Sequence, residues 1–484
     1  MTGVDATLST LLTTGGDGRI AIDAQTGRNI YGRMPLLHRA TLSFGSSTAS
    51  TVSEDAAQHL RTWLQGLAQG HENYDCAAQS LRRRMVSLLG MPVEVVLAAS
   101  GTDAHLLATD FWAKVDERPM IVVTATGSET GSGVALAATG RHFADMTAGG
   151  FKVARGDGAV TCASIRHATY QMRGADGRPV NGNAVAGELE NILQTARSQR
   201  LTCVLVITAV SKTGLISPPI DVVRHLETAY HDTIRVIVDA SQFRGSVAEY
   251  LAHGWPVIIT GSKFLGGPAF SGAILCPARV GFLWEKVSLS PGMGAYIGQG
   301  DVPARWASRA CLPSRNNWGL LARWEAAVFE WDRWARLDPI VVKAVSSQFA
   351  AFVHRRLSDD PFFEPLSTAG ECSRETETLF PLLLRRIDPT SGDLIYMTVQ
   401  ETINVFQALQ AEDRDGLRIE LGQPVLCGER DGHPIAALRL ALSARQTVAA
   451  CNSAQGIETL IVQAKRAFDI LRAAICQVPC PSPG

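Results

Sequence analysis

Three features of the sequence predict an α/β fold: a large domain on a mostly parallel, doubly wound sheet, and a smaller C-terminal α+β domain. Short apolar runs recur at residues 95–99, 120–124, 203–208, 236–238, 257–260 and 273–276. Runs that are apolar throughout suit strands covered on both faces of a sheet. Helix-like segments at 104–115, 187–198 and 221–231 lie between them, and strands alternating with helices form crossovers to parallel neighbours. Beyond about residue 315 the alternation stops, which marks a second unit.

In chain order, residues 1–60 read as an arm rich in Gly, Ser and Thr, ending at FGSSTASTVS (44–53), that contributes to the active site. Residues 61–315 form the large domain. Residues 316–340 are a connecting helix, amphipathic and heavily aromatic (Trp324, Phe329, Trp331, Trp334). Residues 341–484 form the small domain, with strands at 379–384 and 436–442 and a terminal helix at 457–474.

The 484 residues carry 45 Lys+Arg against 46 Asp+Glu, a formal net charge of -1. That balance argues against nucleic acid or an anionic membrane surface as partner, since both are held mainly by excess positive charge. No window offers the apolar length of a membrane-spanning helix, and the first residues lack the basic and apolar regions of a secretory signal, so a cytoplasmic protein is expected. The 10 cysteines are scattered, with no CxxC and no Cys/His cluster at zinc-ligand spacing, so no metal site is expected.

The chemistry concentrates in residues 235–277, RVIVDASQFRGSVAEYLAHGWPVIITGSKFLGGPAFSGAILCP. Asp239 stands at the carboxyl end of one apolar strand. Lys263 follows the next strand inside a turn of small residues. Ligands of open α/β sheets bind outside the carboxyl ends of the strands, so both side chains should face one crevice. Upstream, LAASGTDAHLLA (97–108) gives a strand, then Ser100-Gly101-Thr102-Asp103, then an apolar-periodic helix. Such a helix start has unpaired amides and a favourable dipole for a phosphate, although a Ser/Thr cap gives the same pattern.

The ordered set resembles the fold-type-I pyridoxal-phosphate enzymes, and within them the class-V aminotransferase and cysteine desulfurase group. It comprises SGT at 100–102, a VS-containing turn ending in Pro (AVSKTGLISPP, 209–219), V-D-x-x-Q at 238–242, and T-G-S-K at 260–263 followed by G-P. The resemblance covers roughly residues 70–280 and weakens beyond them. It implies pyridoxal 5'-phosphate as cofactor, bound through an imine at Lys263, which then moves protons at the substrate α-carbon. Asp239 then keeps the ring nitrogen protonated, and Gln242 hydrogen-bonds the ring hydroxyl. Ser100, Gly101, Thr102, Asp103, Thr260 and Ser262 complete the cofactor site. The resemblance also implies a homodimer with shared active sites, the donors being the turn 266–271 and the segment 44–53.

Two departures matter. Where many members carry a histidine that stacks on the ring, this chain has GSETGSGVALAATGRHF (127–143), with Glu129 among glycines. Where the group has an asparagine, this chain has Lys212 or Thr213, so Lys212 is either a second anion contact or a surface charge. In the small domain, Arg439 in AALRLALSARQT (436–447) matches the arginine that grips the substrate carboxylate, which implies an amino-acid substrate. Arg439, Glu129 and Lys212 are therefore the expected substrate contacts.

The expected reaction labilises a bond at the α-carbon of the amino acid, giving transamination or side-chain elimination/replacement in amino-acid metabolism. The long arm and the GSETGSG segment point to a specialised biosynthetic role. Two alternatives stay open: a cysteine desulfurase-like sulfur donor using Cys427, which falls in a Gly-rich loop, GQPVLCGERDG (422–432), and a non-catalytic relative serving as a binding module. A nucleotide-binding Rossmann protein is disfavoured because no GxGxxG follows the first strand.

Overall fold

The computed structural model describes residues 3–36, 41–45, 51–70, 73–162, 164–368, 377–410 and 417–478. Its large sheet has seven strands in the order Val93–Ala98, Gly272–Pro277, Val257–Thr260, Ile234–Ala240, Thr202–Thr208, Met120–Ala125, Ile165–Tyr170. The last five contacts in that order are parallel except Val257–Thr260 with Gly272–Pro277, and Gly272–Pro277 is antiparallel to both its neighbours. The mostly parallel sheet expected from the apolar runs is thus present. Thr202–Thr208 (TCVLVIT) is buried at every position, as a central strand with helices on both faces must be.

One strand has no counterpart in the apolar runs. Ile165–Tyr170 (IRHATY) occupies the sheet edge beside Met120–Ala125 and is only partly covered. Its polar residues Arg166, His167 and Thr169 hide it from a search for fully apolar segments.

The aromatic segment forms the helix Trp318–Ala335, buried along most of its length. It packs between the Lys263 turn and a pair of N-terminal helices, Gly3–Leu12 and Glu54–Ala68, through Leu8, Leu12, Ala56, Leu60, Ala322 and Ala326. Arg323 is wholly buried on it and donates to the carbonyls of Phe270 (2.8 Å) and Gly15 (2.9 Å), which ties the N-terminal segment to the large domain. The first 60 residues are therefore more than a bare arm.

Residues 363–441 supply an antiparallel sheet that includes Leu379–Ile387, Gly422–Arg430 and His433–Ala441. The helices Pro339–Asp359 and Gly456–Gln477 cover it around Phe349, Phe380, Leu438 and Phe468. Thr41–Ser43 adds to this region by pairing in parallel with Arg418–Glu420, and Phe44 is buried in the same core. Residues 46–50 of the expected active-site arm lie outside the described residues. Among the described residues, no helix is long and apolar enough to cross a membrane, and no group of three or more His, Cys, Asp or Glu side chains could hold a metal ion.

Candidate active site

The carboxyl ends of the parallel strands bring the predicted residues to one edge of the sheet. Asp239 is the penultimate residue of Ile234–Ala240, in register with Thr208 and Ile258. One of its oxygens, Oδ1, accepts from the Ser241 amide at 3.0 Å, and Oδ2 lies 3.0 Å from His105 Nε2. Burial pushes this carboxyl up. The bonds to His105 and Ser241, with Lys263 nearby, reverse that and hold it far below the usual carboxylate range. Asp239 is therefore ionised in the site.

Lys263 sits three residues past Val257–Thr260, in a turn whose shape explains its glycines. Gly261 N donates to Ser271 O at 2.8 Å, Gly267 N to Gly261 O at 2.9 Å, and Gly266 N to Lys263 O at 3.1 Å. A Cβ on Gly261 or Gly267 would fall 2.4 or 2.6 Å from Ala327 Cβ, so only glycine lets the turn lie on the buried helix. Gly266 has φ +75°, which glycine adopts without strain. The Lys263 amine makes no hydrogen bond or ion pair among the described residues. Burial, opposed by Asp239 and reinforced by the cations of Arg439 and Arg244, brings it down to about 8.

Ser100 is the N-cap of the helix Gly101–Asp116: its hydroxyl accepts from Asp103 N at 3.2 Å and donates to the Asp103 carboxylate. The cap and the expected phosphate cradle thus coincide. Burial and the charge of Asp17 push the Asp103 carboxyl up to about 7, against the Ser100 bond and Arg19. Gly101 faces the ends of two neighbouring strands, where a Cβ would fall 2.8 Å from Ser241 Oγ and 3.4 Å from Thr260 Cγ2. Thr260 in turn donates to Ser241 O at 2.6 Å. Thr102 lies against Gly133, and Ser262 and Gln242 are buried beside the lysine turn, with Gln242 O accepting from Phe264 N at 3.4 Å.

Arg439 projects from the middle of His433–Ala441, over Gly422 of the paired strand. A Cβ there would fall 2.8 Å from Arg439 Nε, so the glycine makes room for the guanidinium. Nε and Nη2 donate to Gln423 O at 3.2 and 3.0 Å. Burial lowers Arg439 to about 10, with Glu129 opposing, so it remains a cation.

Two expectations need correction. Glu129 does not face a substrate. It is 1% exposed and accepts from Arg173 Nε, Ser211 Oγ and Thr213 Oγ1, each at 2.7 Å. These donors saturate its carboxylate, which therefore holds the turn 211–215 in place. Cys427 lies in a strand, Gly422–Arg430, rather than in a loop, because Asp431 and Gly432, both at positive φ, form a tight hairpin turn. Its thiol is 3% exposed, faces Ile435 O at 3.7 Å, and is pushed up by burial to about 11. Little nucleophilic thiolate forms in such a setting.

His105 and Arg173 belong to the site but were not singled out from the sequence. His105 stands one turn into the helix after Ser100, amid apolar residues, where only the tertiary placement of that helix against Ile234–Ala240 reveals its partner. Arg173 follows the overlooked edge strand.

The donor set suits pyridoxal phosphate. An amine with no hydrogen bond or ion pair among the described residues, an ionised buried carboxylate on which its charge acts, and the amide-rich start of a 16-residue helix packed against the ends of the same strands are brought together, and only glycine at 101 lets that helix start approach Ser241 and Thr260 so closely.

No family model and no curated protein matches this sequence. Solved structures do resemble it. A NifS-like protein of Rickettsia africae is 11% identical with a TM-score of 0.52, over 88% of this chain and 99% of that one. The cysteine desulfurase CsdA of Escherichia coli is 14% identical with a TM-score of 0.54, over 90% and 96%. A phosphoserine aminotransferase of Cytophaga hutchinsonii is 11% identical with a TM-score of 0.51, over 89% and 99%. At this identity the likeness establishes the fold, and that fold is the fold-type-I arrangement implied by the motifs.

Proposed function

We propose that this chain, with the fold shared by those desulfurase and aminotransferase structures, is a pyridoxal-phosphate-dependent enzyme that acts on the α-carbon of an amino acid by transamination or side-chain elimination/replacement. The observation that carries this reading is the placement, at adjacent strand ends, of the ionised Asp239 near the Lys263 amine, which makes no hydrogen bond or ion pair among the described residues. When bound, the cofactor supplies an aldehyde for the amine and an electron-withdrawing ring that takes up the pair left by a broken α-carbon bond.

The chain's own residues do the rest. Lys263 would hold the cofactor covalently, and its amine, brought down to about 8, is suited to carry a proton to or from the α-carbon near neutrality. Asp239, fixed by His105 and the Ser241 amide, keeps a proton on the ring nitrogen. The amides of Gly101 and Thr102, with the Ser241 hydroxyl, bind the phosphate. Arg439 orients the substrate carboxylate through its planar fork. We further propose a homodimer in which the turn 266–271 approaches the partner's site; light scattering that finds a fully active monomer contradicts this.

The test is an absorption spectrum of the purified protein with pyridoxal phosphate added and the excess removed. A retained visible or near-ultraviolet band that borohydride abolishes supports the reading. A protein that returns colourless overturns it.

A further inference from the structure

Lys212 lies in the turn that follows Thr202–Thr208, next to the strand of Asp239. Ala209 N donates to Asp239 O at 3.0 Å, Lys212 N to Glu129 O at 3.1 Å, and Ser211 N to Leu215 O at 2.8 Å. The Glu129 carboxylate, bonded to Ser211 and Thr213 on either side, fixes the turn, and Val210 and Ile216 pack on Leu379 and Ala441. The turn is therefore wedged between the sheet edge and the strands around Arg439, and Lys212 is half-buried there rather than on the surface. Its amine makes no hydrogen bond or ion pair among the described residues. The charges of Arg439 and Lys263 act directly on it.

The charges around this crevice do not balance. Glu129 is neutralised by Arg173 at 2.7 Å, and Asp239 is engaged by His105 and reserved for the ring nitrogen. Arg244 donates to the carbonyls of Thr378 (2.8 Å) and Leu442 (3.0 Å). In the proposed function Lys263 becomes a covalent link and Arg439 meets the α-carboxylate, which leaves Glu129, already held by Arg173, as the anion acting on the Lys212 ammonium. A half-buried cation in that position is costly unless the ligand supplies the opposite charge.

We propose that Lys212 binds a second acidic group of the substrate, so that the enzyme takes amino acids whose side chain ends in an oxyanion. This deepens the proposed function and rests on it. Burial, with the cations of Arg439 and Lys263, lowers Lys212 to about 8, so it is mostly charged at neutral pH and an anion can hold it so.

Unreactive acids separate binding from turnover. Calorimetry on the cofactor-loaded protein at pH 7 compares succinate, glutarate and 3-phosphonopropionate with butyrate. At least one of the two-acid probes should bind about 10- to 100-fold tighter than butyrate, the value of one charge-assisted contact. Lys212→Met and Lys212→Gln should erase that preference and leave butyrate affinity within about twofold, while Lys212→Arg restores part of it. No preference in the parent protein, or one that survives both neutral variants, overturns the inference. The visible band of the same sample decides which claim has failed. With the band present only the role of Lys212 falls, and without it the proposed function falls and this inference with it.

Discussion

His105 Nε2 lies 3.0 Å from Asp239 Oδ2, across two elements that are 134 residues apart in the chain. The contact joins the helix Gly101–Asp116, the proposed phosphate site, to the strand Ile234–Ala240, whose Asp239 is the proposed partner of the ring nitrogen. His105→Leu should cost about 1–3 kcal/mol in denaturant unfolding, because it leaves a buried carboxylate oxygen without its partner. It should also weaken cofactor affinity, and His105→Gln, whose amide can donate, should restore part of both. Unchanged affinity in His105→Leu would mean that the histidine merely fills space.

Asp239→Asn should keep the cofactor but lose at least ~10²-fold in turnover, because an amide of nearly the same shape holds no proton on the ring nitrogen. Steady-state kinetics beside the absorption spectrum separates the two effects. Near-parent turnover would reduce Asp239 to a structural role.

Capture of an aldehyde needs a neutral amine. An ordinary lysine near 10.4 is about 0.04% neutral at pH 7, whereas one near 8 is about 10% neutral. With Lys263 brought down to about 8, the rate at which cofactor-free protein takes up pyridoxal phosphate should rise through pH about 8 and then level off. Asp239 raises the Lys263 value, so Asp239→Asn should move that midpoint lower. A midpoint near 10 would show an ordinary, solvated lysine.

Arg439→Lys keeps the charge but loses the planar fork. Substrate binding should weaken by roughly 1.5–3 kcal/mol, about 10- to 150-fold, with cofactor affinity unchanged. If the spectral midpoint with an amino acid is the same as in the parent, Arg439 does not touch the carboxylate.

What the sequence revealed followed from how local its signals are. Asp239, Lys263 and the Ser100 cap lie at strand ends and a helix start, and short runs of apolar, small and polar residues locate these without any tertiary knowledge. The Ile165–Tyr170 strand was illegible because this half-covered edge strand carries Arg166, His167 and Thr169 and is not apolar throughout. His105 and Arg173 act through partners 134 and 44 residues away, which no spacing rule links. Glu129 was misread for the same reason: a carboxylate among glycines looks available until Arg173, Ser211 and Thr213 are seen to converge on it. For Cys427, the Asp431-Gly432 pair was a readable hairpin signal, and it places the thiol in a strand.

The most direct test of the central claim is to load the protein with pyridoxal phosphate, reduce it with borohydride and map the modified peptide. One adduct is expected, on Lys263, and none in Lys263→Ala, a variant that should keep its fold by circular dichroism. An adduct on Lys212 or on any other lysine, or none at all in a folded, loaded sample, would contradict it.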